Sequence, residues 1–160
     1  MSGLRVEKRD IYRIEVNDDG DYIEFDLADV NLGFRCREAL EMIDEIQKET
    51  IVKEKEILEL KEDDNTNSYI SLKQKGLIDL EQETFLKMRK AMDRFLGEGA
   101  CQKIFGDRNY YEMFDDLLEE FIKPRNELGG KSHFDKLQIT SDGIRKRIID
   151  KYNKNKKSVI

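Results

Sequence analysis

The sequence predicts a mainly α protein, in which an N-terminal β-hairpin packs on a small helical bundle ahead of a flexible, basic C-terminal tail. Three observations lead there. Strict apolar–polar alternation occurs only between about 11 and 27 and marks half-buried strands. No Gly or Pro interrupts the chain between Phe34 and Lys75. Beyond that, apolar residues recur at helical spacing between short glycine corners. At 160 residues the chain is about one domain long, on a prior of ~100–200 residues each. Residues 1–130 are read as a single α-rich domain and 131–160 as a basic, partly flexible segment.

The hairpin comes first. Tyr12, Ile14 and Val16 alternate with Arg13 and Glu15, and Ile23, Phe25 and Leu27 alternate with Glu24 and Asp26. Between them lies Asn17-Asp18-Asp19-Gly20-Asp21, whose Asp-Gly pair tolerates the positive φ of a tight reversal. A lone hairpin is marginal in water, so its apolar face requires a partner, and the helix that follows is the nearest.

Asp29 is placed to cap that helix through its carboxylate. Its apolar stripe is Leu32, Cys36, Ala39, Leu40, Ile43 and Ile46, and continuation to 62 makes a rod of roughly 45 Å. The second half, from Lys53, is highly charged and should project or pack on one neighbour. Residues 62–68 read as a polar break, and 69–80, containing Gly76, is ambiguous. Phe85, Met88, Met92 and Phe95 mark a further helix stopped by Gly97. A short one follows between Gly99 and Gly106. Asp107 or Asn109 then caps a helix with the face Tyr110, Met113, Phe114, Leu117, Leu118 and Phe121, which Pro124 terminates. Gly129-Gly130 reads as a hinge, 144–152 as a last short basic helix, and 153–160 as disordered.

Charge is polarised. Residues 131–160 carry nine Lys/Arg against three Asp, or +6, so the first 130 carry −12 of the total −6. A tail of this kind suits an acidic partner or a nucleic acid, although the acidic body repels phosphate. No apolar run reaches the ~20 residues of a membrane span, and the first eight residues lack the apolar stretch of a secretory signal. Cys36 and Cys101 form no CxxC pair, which points to a reduced, cytoplasmic protein.

Catalytic and metal sites find little support. Residues 63–74 follow part of a calcium-loop pattern, yet Ser68 stands where the turn needs Gly and Gln74 where a bidentate Glu is needed. Gly129-Gly130-Lys131-Ser132 lacks the upstream glycine and strand of a phosphate loop. His133 is the only histidine, and both cysteines fall on apolar helix faces, where a buried thiol is inert. The expectation is therefore no enzyme, no cofactor and no metal.

One segment carries a resemblance. Phe95-Leu96-Gly97-Glu98-Gly99-Ala100-Cys101-Gln102-Lys103-Ile104-Phe105-Gly106-Asp107-Arg108-Asn109 resembles the "LGEG…KIFG…N" stretch of tail assembly chaperone-like proteins of long-tailed phages and prophages of low-GC Gram-positive bacteria. The order of elements over about 11–120 is similar too, as is the basic end from Arg145-Lys146-Arg147 to Tyr152. Residues 53–80 depart from it, being longer and more charged. The resemblance implies a non-catalytic cytoplasmic protein that binds the tape measure protein and the tail tube protein during assembly and is absent from the finished virion. Tyr111, Met113 and Phe114, with Arg145, Lys146 and Arg147, are the expected contact residues. The alternative is a prophage-encoded nucleic-acid-binding or regulatory protein acting through the basic tail.

Overall fold

A computed structural model describes residues 3–7, 10–61 and 68–139, with 146, 148–150 and 153. The fold is mainly α, with one two-stranded antiparallel sheet among the described residues, β1 (Ile11–Glu15) and β2 (Tyr22–Asp26). The register pairs Tyr12 with Phe25 and Ile14 with Ile23, so these four share one face, as the alternation requires. Opposite them, Arg13 bridges Glu24 at 3.1 Å and lies over the Tyr22 ring. Asn17 organises the turn, its Oδ1 accepting from the Asp19 and Asp21 amides. Its Nδ2 donates to the Lys103 carbonyl at 3.0 Å, which fastens the hairpin tip to the body.

The inner face meets more than the helix that follows it. Phe25 stands against Phe95 and Phe121, with ring centroids 6.0 and 6.4 Å away. Aromatic rings from three distant parts of the sequence thus form the centre of the core. Periodicity within one segment carries no information about such pairings.

Helix α1 runs from Asn31 to Leu58, about 42 Å at 1.5 Å per residue. Asp29 serves its start: one carboxylate oxygen accepts from the Asn31 amide at 2.9 Å and the other from Arg35 at 3.0 Å. The hydrogen bond to the Asn31 amide, then Arg35, holds this carboxyl below its ordinary range. The six stripe residues of α1 are all buried. Helix α2 spans Leu72–Leu96 and so takes in residues 72–80 of the ambiguous segment. Ser71 and Gln74 form a reciprocal capping box, which fixes the start of α2 and uses the residue that a calcium loop would need as a ligand. Residues 62–67 lie outside the described residues, and with them the first five positions of that loop.

The two helices form an antiparallel hairpin. Arg94 bridges Glu38, Lys87 bridges Glu49, and Lys53 bridges Glu83. The charged half of α1 therefore packs along α2. At the outer end Gly76 permits close approach, since a Cβ there would lie 3.0 Å from Ile57 Cγ2.

After α2 the chain turns through Gly97 (φ +114°) and Gly99 (φ +77°), conformations costly for any residue with a Cβ. Asp93 braces the corner, its carbonyl accepting from the Gly97 amide and its carboxylate from the Cys101 amide, each at 2.8 Å. Helix α3 (Ala100–Phe105) follows, then α4 (Met113–Ile122). Neither Asp107 nor Asn109 caps α4. Asp107 accepts from Gln102 and Asn109 from Arg89, leaving Tyr110 and Tyr111 in the turn before the helix.

The glycine pair, read from sequence as a hinge, lies in a hydrogen-bonded turn. The Gly130 amide donates to the Arg125 carbonyl at 2.9 Å, and the Arg125 amide to the Lys131 carbonyl at 3.0 Å. A 3-10 turn (Asn126–Leu128) sits inside that loop. Helix α5 (His133–Lys136) follows, opened by a Ser132–Asp135 capping box. Phe134, Leu137, Ile139 and Ile148 all join the core, so the packed unit extends past 130 into what the charge pattern marks as tail. Of the end read from sequence as disordered, residues 154–160 lie outside the described residues. Among the described residues, no helix is long and apolar enough to cross a membrane.

Candidate partner-binding groove

A two-helix hairpin has apolar surface beyond its own seam. The seam of α1 and α2 is closed in part by Thr84, whose hydroxyl donates to the Leu80 carbonyl at 2.7 Å and accepts from Thr50 at 3.2 Å. On one edge, Lys53, Lys87, Glu49 and Glu83 pair in a short network. Across the seam from it opens a groove of about 720 Å³, within the usual ~300–1,000 Å³ of ligand sites.

Ile46, Leu80, Met88 and Phe114 form its floor, and Ile51, Leu77 and Tyr111 stand along it. Phe85 connects these parts, stacked on Phe114 at 6.3 Å and tilted against Tyr111 at 6.2 Å. Ile51 is 67% exposed and Tyr111 78%, so the groove offers apolar side chains to whatever lies outside. Its ionisable lining groups besides Tyr111 are both carboxylates, Glu54 and Glu81. The Tyr111 hydroxyl donates to Glu81 at 2.7 Å, and that hydrogen bond and the carboxylate charge raise the Tyr111 pKa.

The expected contact residues separate. Tyr111 lies on the groove wall and Phe114 at its base, 8% exposed. Met113 is a correction: it is 0% exposed, because the start of α4 turns it into the core, and it offers nothing to a partner. Lys146 is exposed and helical, while Arg145 and Arg147 lie outside the described residues. Ile51, Leu77 and Phe85 belong to the groove but were not singled out as contacts. Ile51 and Leu58 lie seven apart on α1, beside its main stripe, and that spacing is the signal in the sequence.

No family model, curated protein or solved structure matches the chain. The remaining reactive side chains sit in packed surroundings. Cys36 and Cys101 are free and buried; burial pushes the Cys36 thiol up to about 12, and burial, then the nearby Asp93 carboxylate, raises that of Cys101 further. His133 Nδ1 lies 2.5 Å from the Tyr12 hydroxyl, with its ring 6.0 Å from Phe121. Burial, then the Arg125 charge, lowers the His133 pKa, against the opposing pull of Glu120 and Glu127. This contact ties β1 to α5. Among the described residues no group of three or more His, Cys, Asp or Glu is placed to hold a metal ion.

Proposed function

We propose that this protein is a phage tail assembly chaperone, a non-catalytic binder of helical segments of the tape measure protein, the tail tube protein or both during assembly in the host cytoplasm. The observation that carries the proposal is the groove beside the α1–α2 seam, apolar at its base and bordered by the exposed side chains of Ile51 and Tyr111. Amphipathic helices dock in grooves of this kind through side chains one turn apart. Met88 at the base adds an unbranched, polarizable side chain that adapts to different occupants. The LGEG…KIFG corner, which resembles the same segment of tail assembly chaperones, supplies the biological setting.

Co-expression with the tape measure and tail tube proteins of the same genome tests the proposal. The expected result is a soluble complex with the tape measure protein that Ile51→Glu weakens without lowering the melting temperature. Absence of a complex, or one indifferent to Ile51→Glu and Tyr111→Ala, contradicts it.

A further inference from the structure

We infer that the groove selects an amphipathic helix whose apolar face is flanked by lysine or arginine, with Glu54 and Glu81 reading the cations and Tyr111 latching Glu81 until such a helix arrives. The inference rests on the helix-binding reading above and specifies its partner.

The first argument is what the fold leaves unfilled. Near the body, α4 brings Phe114 against the α1–α2 hairpin, where a third helix completes a bundle. Farther out, Ile51, Leu58 and Ile78 remain more than half exposed, and no described element lies over them. From Ile46 to Leu58 this side of α1 is about 18 Å long, enough for three turns of a docked helix and three anchoring side chains.

The second argument is charge. Glu54 and Glu81 line the groove and no lysine or arginine does; Lys53 and Lys87 are engaged by Glu83 and Glu49 on the other edge. An acidic flank brought here meets like charge beside an apolar surface, which disfavours it, whereas a basic flank is steered in. A second copy is disfavoured for the same reason, because two-fold pairing of this face sets Glu54 and Glu81 of one copy against those of the other.

The third argument is the latch. Glu81 accepts the Tyr111 hydroxyl at 2.7 Å, a bond from a neutral donor. A Lys or Arg brings full opposite charge as well as a donor to that carboxylate, so an arriving cation competes with the hydroxyl for Glu81. Tyr111 precedes α4 in a turn and is 78% exposed, so its displacement opens the groove over Phe85. A helix without the cation meets the narrower groove.

Three synthetic helical peptides of about five turns, identical in a leucine face and flanked by Lys, Gln or Glu, test this by fluorescence anisotropy with the full chain at low salt. The Lys-flanked peptide should bind about tenfold more tightly than the Gln-flanked one, and the Glu-flanked one most weakly. The double variant Glu54→Lys/Glu81→Lys should invert that order. A control, Glu56→Lys/Asp79→Lys, places the same charges on exposed positions of the same helices outside the groove and should preserve it. Tyr111→Phe should tighten the Lys-flanked peptide a few-fold and leave the Gln-flanked one unchanged. Equal binding of all three, or an order unmoved by the groove reversal, overturns the charge inference and leaves the groove reading standing. No binding by any peptide overturns both. A dimer that binds no peptide and is strengthened by the neutral pair Glu54→Gln/Glu81→Gln overturns the inference and assigns the face to a second copy.

Discussion

Met113 offers the sharpest test of how the bundle is assembled, because its neighbours Tyr111 and Phe114 look similar in sequence and do different work. Met113→Ala removes Cγ, Sδ and Cε from a site with 0% exposure. Three buried groups at ~0.8 kcal/mol each give about 2.4 kcal/mol of lost transfer energy. Incomplete collapse of the cavity adds about 1 kcal/mol or more, for an expected loss of ~3–4 kcal/mol within the usual ~2–5 kcal/mol. That is a large part of a net stability of ~5–15 kcal/mol, and at about 2–4 °C per kcal/mol it lowers the melting temperature by ~6–16 °C. Urea and thermal unfolding of Met113→Ala, beside the volume-conserving Met113→Leu at under ~1.5 kcal/mol, make the comparison. A Met113→Ala protein within about 0.5 kcal/mol of the parent, the range of ordinary surface changes, refutes the placement of α4. Tyr111→Ala, by contrast, should remain within about 1 kcal/mol of the parent.

Other expectations concern the seams and the titratable groups. Gly76→Ala gains about 1 kcal/mol of helix propensity but crowds Ile57 Cγ2, 3.0 Å from the new Cβ. A double-mutant cycle with Ile57→Leu, which moves the branch away from Cβ, should show a coupling above ~0.5 kcal/mol; additivity contradicts the close approach of α1 and α2. The lowered pKa of His133 means that the unfolded chain binds the proton more readily. Its contribution is therefore full above the unfolded value of 6.5 and lost as pH falls below it, and His133→Gln should flatten that part of the pH–stability curve. An unchanged slope assigns the dependence elsewhere. Cys36 and Cys101 should resist a thiol-specific reagent in the folded protein and both react in denaturant; rapid reaction of either in the native state contradicts its burial.

Local patterns carried much of the fold. The alternation at Tyr12, Ile14, Ile23 and Phe25 specified both strands and their inner face, and the stripe from Leu32 to Ile46 specified the buried side of α1. What escaped depends on contacts distant in sequence. Gly76 obscured the first half of α2 because helix propensity counts glycine as a breaker, whereas here it lets Ile57 approach. Positive charge in 131–160 marked a tail, yet Phe134, Leu137, Ile139 and Ile148 are apolar and occupy core positions, and charge counting ignores them. The groove was legible only in part. Tyr111 and Phe114 were evident as an aromatic cluster, but which residues face out depends on where α4 begins. Tyr110 and Tyr111 lie before its first turn, and the apolar face through Met113, Phe114, Leu117 and Phe121 is the buried one, so expecting Met113 as a contact ran against its own helical face.

The most direct test is methyl and tyrosine-ring NMR of the full chain titrated with a helical tape measure segment. The account predicts saturable shifts at Ile51, Leu77, Met88 and Tyr111, with Ile14 and Ile23 unmoved. Shifts confined to Ile14 and Ile23 in the strands, or none at saturating segment, contradict it.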